Sequence, residues 1–410
     1  MKQGWEIKKL GEICEITNGF AFKSKEYTSE GHFVIRIGNV QQGYIELNNP
    51  RYIQISDDKQ KKFILSNGDI LVSLTGNVGR VGIIKDEHLP AVLNQRVAKI
   101  SLKKVQICLN EYFFYFLNNQ IFIDELAKKG RGAAQQNIST TDIEEIFFPL
   151  PPLPEQQRIV SILDKAFAAI DKAKANAEQN VFNANEFFEN SAQGIFTQKG
   201  LDWEEKLLGD FAEFRNGINY TKGSKGEKIK IVGVKDFQDS YWVPENDLVE
   251  VSLDGKINET DLLREGDILA VRSNGNPQLI GRTLLAGIIN EKVSHSGFTI
   301  RIRLNSKIVN PNYLCHFMKI QKTRKTLVES GNGVGIRSLN QGSLSSLKIP
   351  FPKSLKEQEM IIDKVDSIAE QSQKLKDIYL RKLNGLEELK KSILQKAFAG
   401  KLETETLETA

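Results

Sequence analysis

Pro149-Leu150-Pro151-Pro152-Leu153-Pro154-Glu155-Gln156-Gln157-Arg158-Ile159-Val160 is the stretch on which the fold turns. Its prolines end one kind of structure, because proline lacks the amide hydrogen that a strand or helix interior needs. Another kind begins at once. From Glu155 to about Thr197 there is no proline and a single glycine near the end. Apolar or small residues fall at Ile159, Leu163, Ala166, Ile170, Ala173, Ala177, Val181, Ala184, Phe188 and Ile195, mostly in steps of three and four. That is the seam of a coiled coil sustained over several heptads. A helix over 155–197 would be about 64 Å long at 1.5 Å per residue. One narrow stripe of that length outruns a small domain, so it calls for a second helix.

The second helix lies in the same chain. Ile349-Pro350-Phe351-Pro352 leads to Glu357-Gln358-Glu359. From Lys356 to about Ala399 the stepping returns at Ile361, Val365, Ile368, Leu375, Tyr379, Leu383, Leu386, Leu389, Ile393 and Ala397, with Ser372 interrupting. The rest of the chain repeats in the same way. Trp5-Glu6, Leu10-Gly11, Asn18-Gly19 and Gly68-Asp69-Ile70-Leu71 recur 198 residues later as Trp203-Glu204, Leu208-Gly209, Asn216-Gly217 and Gly266-Asp267-Ile268-Leu269. Later motifs recur at 201 or 202, as Gln193-x-x-Phe196 does at Gln395-x-x-Phe398. Solenoid repeats run to about 20–50 residues, so this is a duplicated domain.

Each copy opens with short β-rich runs, such as Phe33-Val34-Ile35-Arg36-Ile37 and Phe298-Thr299-Ile300-Arg301-Ile302, between Gly/Asn-rich turns. A helical stretch follows late in each, at 110–129 and at 311–329, where Pro311 suits a helix start. The expected fold class is α+β with a pseudo-twofold internal repeat. Two similar globular domains, 1–152 and 200–353, are separated by long helices at 153–199 and 354–410, the latter with a tail. The first helix must carry the chain from one domain to the other, which favours an antiparallel coiled coil.

Composition excludes several functions. The chain has 410 residues, 40% of them hydrophobic, enough for packed cores. No apolar run is long enough to span a membrane, and the first residues lack a signal-peptide stretch. Cys14, Cys108 and Cys315 are too scattered for a disulfide framework or zinc site, so a reducing cytoplasm is the expected location. The four histidines have no metal-ligand spacing. There is no P-loop, and Gly331-Asn332-Gly333-Val334-Gly335 does not join a strand to a helix as a dinucleotide loop would. No nucleophile or acid/base pair stands out. The expectation is a binding module with no catalysis of its own.

Charge is uneven. Residues 301–350 hold nine basic side chains and one acidic, whereas 201–250 hold seven basic and eleven acidic. A local basic patch in a near-neutral chain suits nucleic acid, although a run of lysines also serves as a solvated helix face. Duplex DNA takes Lys/Arg on phosphates and Arg, Asn, Gln, Ser or Thr on base edges. The first domain offers Thr75, Asn77 and Arg80, then Asn94, Gln95 and Arg96, then Arg131, Gln135, Gln136 and Asn137. Matching places in the second hold Arg272, Asn274, Asn276, Gln278 and Arg282, then His295 and Ser296, then Asn332, Arg337 and Asn340. Lys319, Lys322 and Lys325 are assigned to phosphates as one helix face. The Asn/Gly clusters equally suit simple turns.

These motifs together resemble the specificity subunit of type I restriction–modification enzymes. The resemblance rests on Trp5-x-x-x-x-Leu10-Gly11-Glu12 and Gly68-Asp69-Ile70-Leu71 with their echoes, and above all on the doubled proline–Glu-Gln junction. In the second junction Lys353-Ser354 replaces the expected Pro-Leu. The resemblance implies two target-recognition domains, each binding one half of a split, asymmetric target in double-stranded DNA. It implies long helices that set the unread gap and dock two methylation subunits, with two restriction subunits completing a nuclease. S-adenosylmethionine would then belong to the methylation subunits, and ATP and Mg²⁺ to the restriction subunits. Two other readings stay open: a coiled-coil scaffold gathering proteins, and the same module serving another restriction–modification type.

Overall fold

The computed structural model describes residues 4–104, 106–130, 137–198, 200–221, 223–238, 240–329 and 338–402. The chain divides into two compact units. One comprises Met1–Glu178 with Arg381–Ala410, the other Gln179–Leu380. The division runs through both long helices.

The two units share one topology. In the first, a four-stranded antiparallel sheet has the order Cys14–Asn18, Val97–Leu102, Ile70–Ser73, Val81–Ile83. In the second the order is Ala212–Asn216, Thr299–Leu304, Ile268–Val271, Thr283–Leu285. Register repeats too: Ile100 lies opposite Ile16 and Ile70, and Ile302 opposite Phe214 and Ile268. A mixed three-stranded sheet follows the same rule, with His32–Ile35 between Tyr52–Ile53 and Ala91–Leu93, and Lys228–Val232 between Val249–Ser252 and Val293–His295. The tryptophan-bearing segments lead into two-stranded ribbons, Glu6–Lys9 with Phe147–Leu150 and Trp203–Leu207 with Lys348–Pro352. Only the first unit adds, among the described residues, the hairpin Val40–Gln41 with Tyr44–Ile45.

The repeated dipeptides have physical causes. A Cβ on Gly19 would sit on the Asn94 carbonyl oxygen, and one on Gly217 on that of Ser296. Only glycine permits so close a backbone approach. Gly68 and Gly266 turn with φ of +88° and +82°, and the following aspartates accept the amides of Ser66 (2.9 Å) and Arg264 (2.7 Å).

The Glu-Gln junction has a cause as well. Gln156 is fully buried. It donates to the carbonyls of Ile107 and Pro151 and accepts the Leu109 amide, at 2.8–2.9 Å. Gln358 does the same with Ile308, Pro352 and Asn310, at 2.7–2.9 Å. Each glutamine fastens the start of a long helix to its own domain, and its bonds satisfy backbone groups that are buried at Pro151 and Pro352 and part-buried at the others.

The long helices run Leu153–Thr197 and Leu355–Phe398. In the first unit they pair antiparallel: Asp171 lies 3.7 Å from Lys390, Lys174 bonds Glu387, and Arg158 reaches back to Leu402. The end of the second helix closes the first domain, where Phe398 packs on Tyr112 and Phe116 at centroid distances of 5.1 and 5.4 Å. In the second unit the end of the first helix does likewise, with Phe196 on Tyr313 and Phe317 at 5.1 and 5.6 Å. There Ser372, buried at a seam position, donates to the Ala184 carbonyl at 2.7 Å.

Two expectations need correction. Leu375 and Leu389 are 41% and 45% exposed and lie off the seam. Beside Leu389 the seam is taken by Lys390, whose ammonium sits 4.8 Å over the Phe167 ring. Each late helical stretch is also two helices, Asn110–Leu117 with Gln120–Lys129, and Pro311–Lys319 with Gln321–Glu329.

Candidate nucleic-acid interface

In each domain three turns are bound into one cluster by the same backbone bonds. In the first, Gly19 donates to Val97, Phe20 to Leu93, Gln95 to Phe20, Leu74 to Arg96 and Ile138 to Leu74, at 2.9–3.1 Å. In the second, Gly217 donates to Thr299, Ile218 to His295, Gly297 to Ile218, Arg272 to Phe298 and Leu339 to Arg272, at 2.8–3.2 Å. The correspondence is therefore residue by residue: Leu93 with His295, Asn94 with Ser296, Gln95 with Gly297, Arg96 with Phe298, Leu74 with Arg272. The tight turn is held alike too, since the Asn94 side chain accepts the Arg96 amide (3.4 Å) and the Ser296 hydroxyl that of Phe298 (3.2 Å).

In the first domain Gln95 and Arg96 are exposed at the turn apex, and the Arg96 guanidinium has no partner among the described residues. Asn94 is buried beneath them as a turn former. Asn77 is exposed and Asn137 pairs by backbone with Thr75, whose hydroxyl is buried without a partner among the described residues. Arg80 is half-buried and donates to Gln41 at 2.6 Å. Arg131, Gln135, Gln136, Asn332 and Arg337 lie outside the described residues.

The second domain distributes its residues over two places. Asn274 and Ser296 line a cavity of about 490 Å³ with Tyr220, Lys235, Val249 and Phe298. Arg272 adjoins it through its backbone bond to Phe298. Arg282, Lys322 and Lys325 line a different cavity, of about 700 Å³, whose wall also carries Glu186 and Glu189 of the first long helix. Asn274 and Asn276 accept the amides of Asn276 and Gln278, and Asn340 accepts that of Ser343, so all three side chains shape turns or cap a helix. Arg282 donates to the carbonyls of Phe237 and Gln238, and Arg324 to those of Ile280 and Gln278.

Three assignments change. Lys319, expected on phosphate, is already engaged within the domain. Its ammonium donates to the carbonyls of Ser240 (3.0 Å) and Thr283 (2.8 Å) and lies 5.2 Å over the Tyr241 ring. The break between helices at Ile320 also separates Lys319 from the helix that bears Lys322 and Lys325, which are exposed. His295 is buried, 1% exposed, at the place of the core residue Leu93. Ser296 is buried too, its hydroxyl holding the turn. Burial, with Arg301, Arg215 and Arg303 nearby, pulls the His295 imidazole down to about 3. The residue that sequence reading missed is Phe298, 62% exposed. Carrying the 202-residue offset from Arg96 would have found it.

Such a duplicated turn cluster, on domains fastened to paired helices, defines a two-headed binding protein. Residues 2–179 and 200–380 each match the type I restriction modification DNA specificity domain, and the chain belongs to that family. It is 24% identical over 418 residues to the StySPI specificity subunit of Salmonella potsdam, spanning 98% of this chain and 90% of that one. It is 26% identical over 429 residues to the EcoBI specificity subunit of Escherichia coli, spanning 97% and 86%. In fold it is similar to a chain from a type I R-M system solved for its assembly and conformational transition, with a TM-score of 0.75, 18% identity and coverage of 98% and 99%. It is also similar to the HsdS subunit from Thermoanaerobacter tengcongensis, with a TM-score of 0.55, 19% identity and 98% of each chain covered. No described helix is long and apolar enough to cross a membrane.

Proposed function

We propose that this chain is the DNA-reading specificity subunit of a type I restriction–modification system. Each domain reads one half of a bipartite, asymmetric target. The observation that carries this reading is the paired turn cluster: one backbone frame, built twice, presents different side chains at matched positions. Two unlike half-sites ask for that arrangement, because phosphate contacts position a protein and base-edge contacts specify sequence. The long helices set the unread gap and receive the methylation subunits, two per chain, with two restriction subunits joining them. Exposed Phe182, Phe187, Ile378 and Leu380 give these helices apolar surface suited to protein contact. The subunit itself is non-catalytic. S-adenosylmethionine belongs to the methylation subunits, and ATP and Mg²⁺ to the restriction subunits.

The test is sequencing of methylated DNA from cells that express the chain with the methyltransferase encoded beside it. Methylation confined to a two-part target with unequal halves and a fixed gap is expected. Methylation that is unchanged when the chain is omitted would refute the assignment.

A further inference from the structure

The matched turn apex is the sharpest difference between the domains. Arg96 and Phe298 occupy one position, their carbonyls accept equivalent amides at 3.1 and 2.8 Å, and both side chains point to solvent. A single exposed phenylalanine is unremarkable in itself. This one has company. Tyr220 (39% exposed) and Val249 (44% exposed) line the same cavity, and Lys235 and Asn274 supply its polar edge. In the first domain the place of Tyr220 is held by Phe22, which is buried. The second domain therefore opens an apolar recess, edged by polar groups, where the first presents a guanidinium with no partner among the described residues.

We propose that the turn apex is a base-reading position in both domains: Arg96 takes the O6 and N7 edge of a guanine, and Phe298 takes the 5-methyl group of a thymine. This rests on the reading of the domains as half-site readers. The chemistry follows from the major groove, where guanine offers two acceptors that match an arginine fork and thymine alone carries a methyl group. A phenyl ring has no hydrogen bond to give, so on a base edge the methyl is what it can recognise. Lys235 lines the same recess, and an ammonium at its edge suits a phosphate of the strand that Phe298 would read.

Binding of the chain, assembled with its methylation subunits, is measured on duplexes in which each thymine of the second half-site is replaced singly by uracil, which lacks the methyl. One replacement should weaken binding about three- to fivefold, the worth of a buried methyl. F298A should bind the thymine and uracil duplexes equally at that position while still selecting the target. F298R should move the methylated target at that position alone from a T·A to a G·C pair, with the first half unchanged. The proposal is overturned if no uracil in the second half matters, if F298A keeps the discrimination, or if F298R leaves the target as it was. The wild-type methylated target is read in the same experiment. A bipartite target with an indifferent Phe298 rejects this inference alone, whereas no sequence-specific target rejects the function as well.

Discussion

His295 is a core residue that carries a proton-binding group. Thr299 donates its hydroxyl hydrogen to the Ser296 carbonyl at 2.8 Å, so its oxygen accepts from the His295 Nδ1–H at 2.9 Å. That bond fixes the ring's orientation, while burial and the nearby Arg301, Arg215 and Arg303 favour its neutral form. In the unfolded chain it takes up a proton near its ordinary value of about 6.5, while in the folded domain it resists down to about 3. Its contribution is complete above pH 6.5 and is lost as pH falls from there towards 3. The first domain has Leu93 at this place and no such loss. Replacing His295 by leucine should therefore remove roughly 2 kcal/mol of destabilisation at pH 5 relative to pH 7. Denaturant unfolding of the full chain at the two pH values checks this; an unaltered difference between them would show that the histidine is not the cause. Thr299 keeps a partner in the variant. At this scale the glycines were legible, since Asn18-Gly19 and Gly68-Asp69 print their backbone needs directly. The burial of His295 was not, because three or four residues of loop change hide which residue stands opposite Leu93.

Among the elements, the late helices divide where the sequence reads as continuous. In the first domain the signal was available: Asn119 accepts the amide of Ile121 at 2.9 Å and caps a new helix. In the second domain the residue at that place is Ile320, whose side chain has no acceptor. The amide of Gln321 is met by the Glu189 carboxylate of the first long helix, at 3.1 Å, which no local pattern could announce. The break turns Lys319 inward and leaves Lys322 and Lys325 outside. Neutralising the latter two should weaken binding to every DNA sequence alike and reduce the salt slope by up to about 2, at roughly 0.9 per phosphate contact. Neutralising Lys319 should leave that slope unchanged and lower stability, because two carbonyls lose their donor. Salt titrations of DNA binding separate the cases; a shift in preferred bases after changing Lys322 and Lys325 would mean that they read sequence.

For the molecule as a whole, the duplication and both long helices could be read from periodicity alone. The exchange of helix ends could not. Phe196 and Phe398 stand in the sequence only as an echoed pair beside the seam, yet each completes the core of a domain that its own helix does not begin from. Packing of this kind joins residues nearly 300 apart, as Tyr112 and Phe398 do, and leaves no trace in local pattern. It also means that the two domains offer the helices equivalent seats. Tyr112 and Phe116 correspond to Tyr313 and Phe317, and the carbonyls that hold Gln156 have counterparts that hold Gln358. One domain is therefore expected to seat on the helices in place of the other. The most direct measurement replaces residues 201–352 with a second copy of 1–150 and sequences the methylated DNA of cells carrying this chain with its methylation subunits. The expected target holds two copies of the half-site read by 1–150; retention of the original unequal halves would contradict domain-by-domain reading.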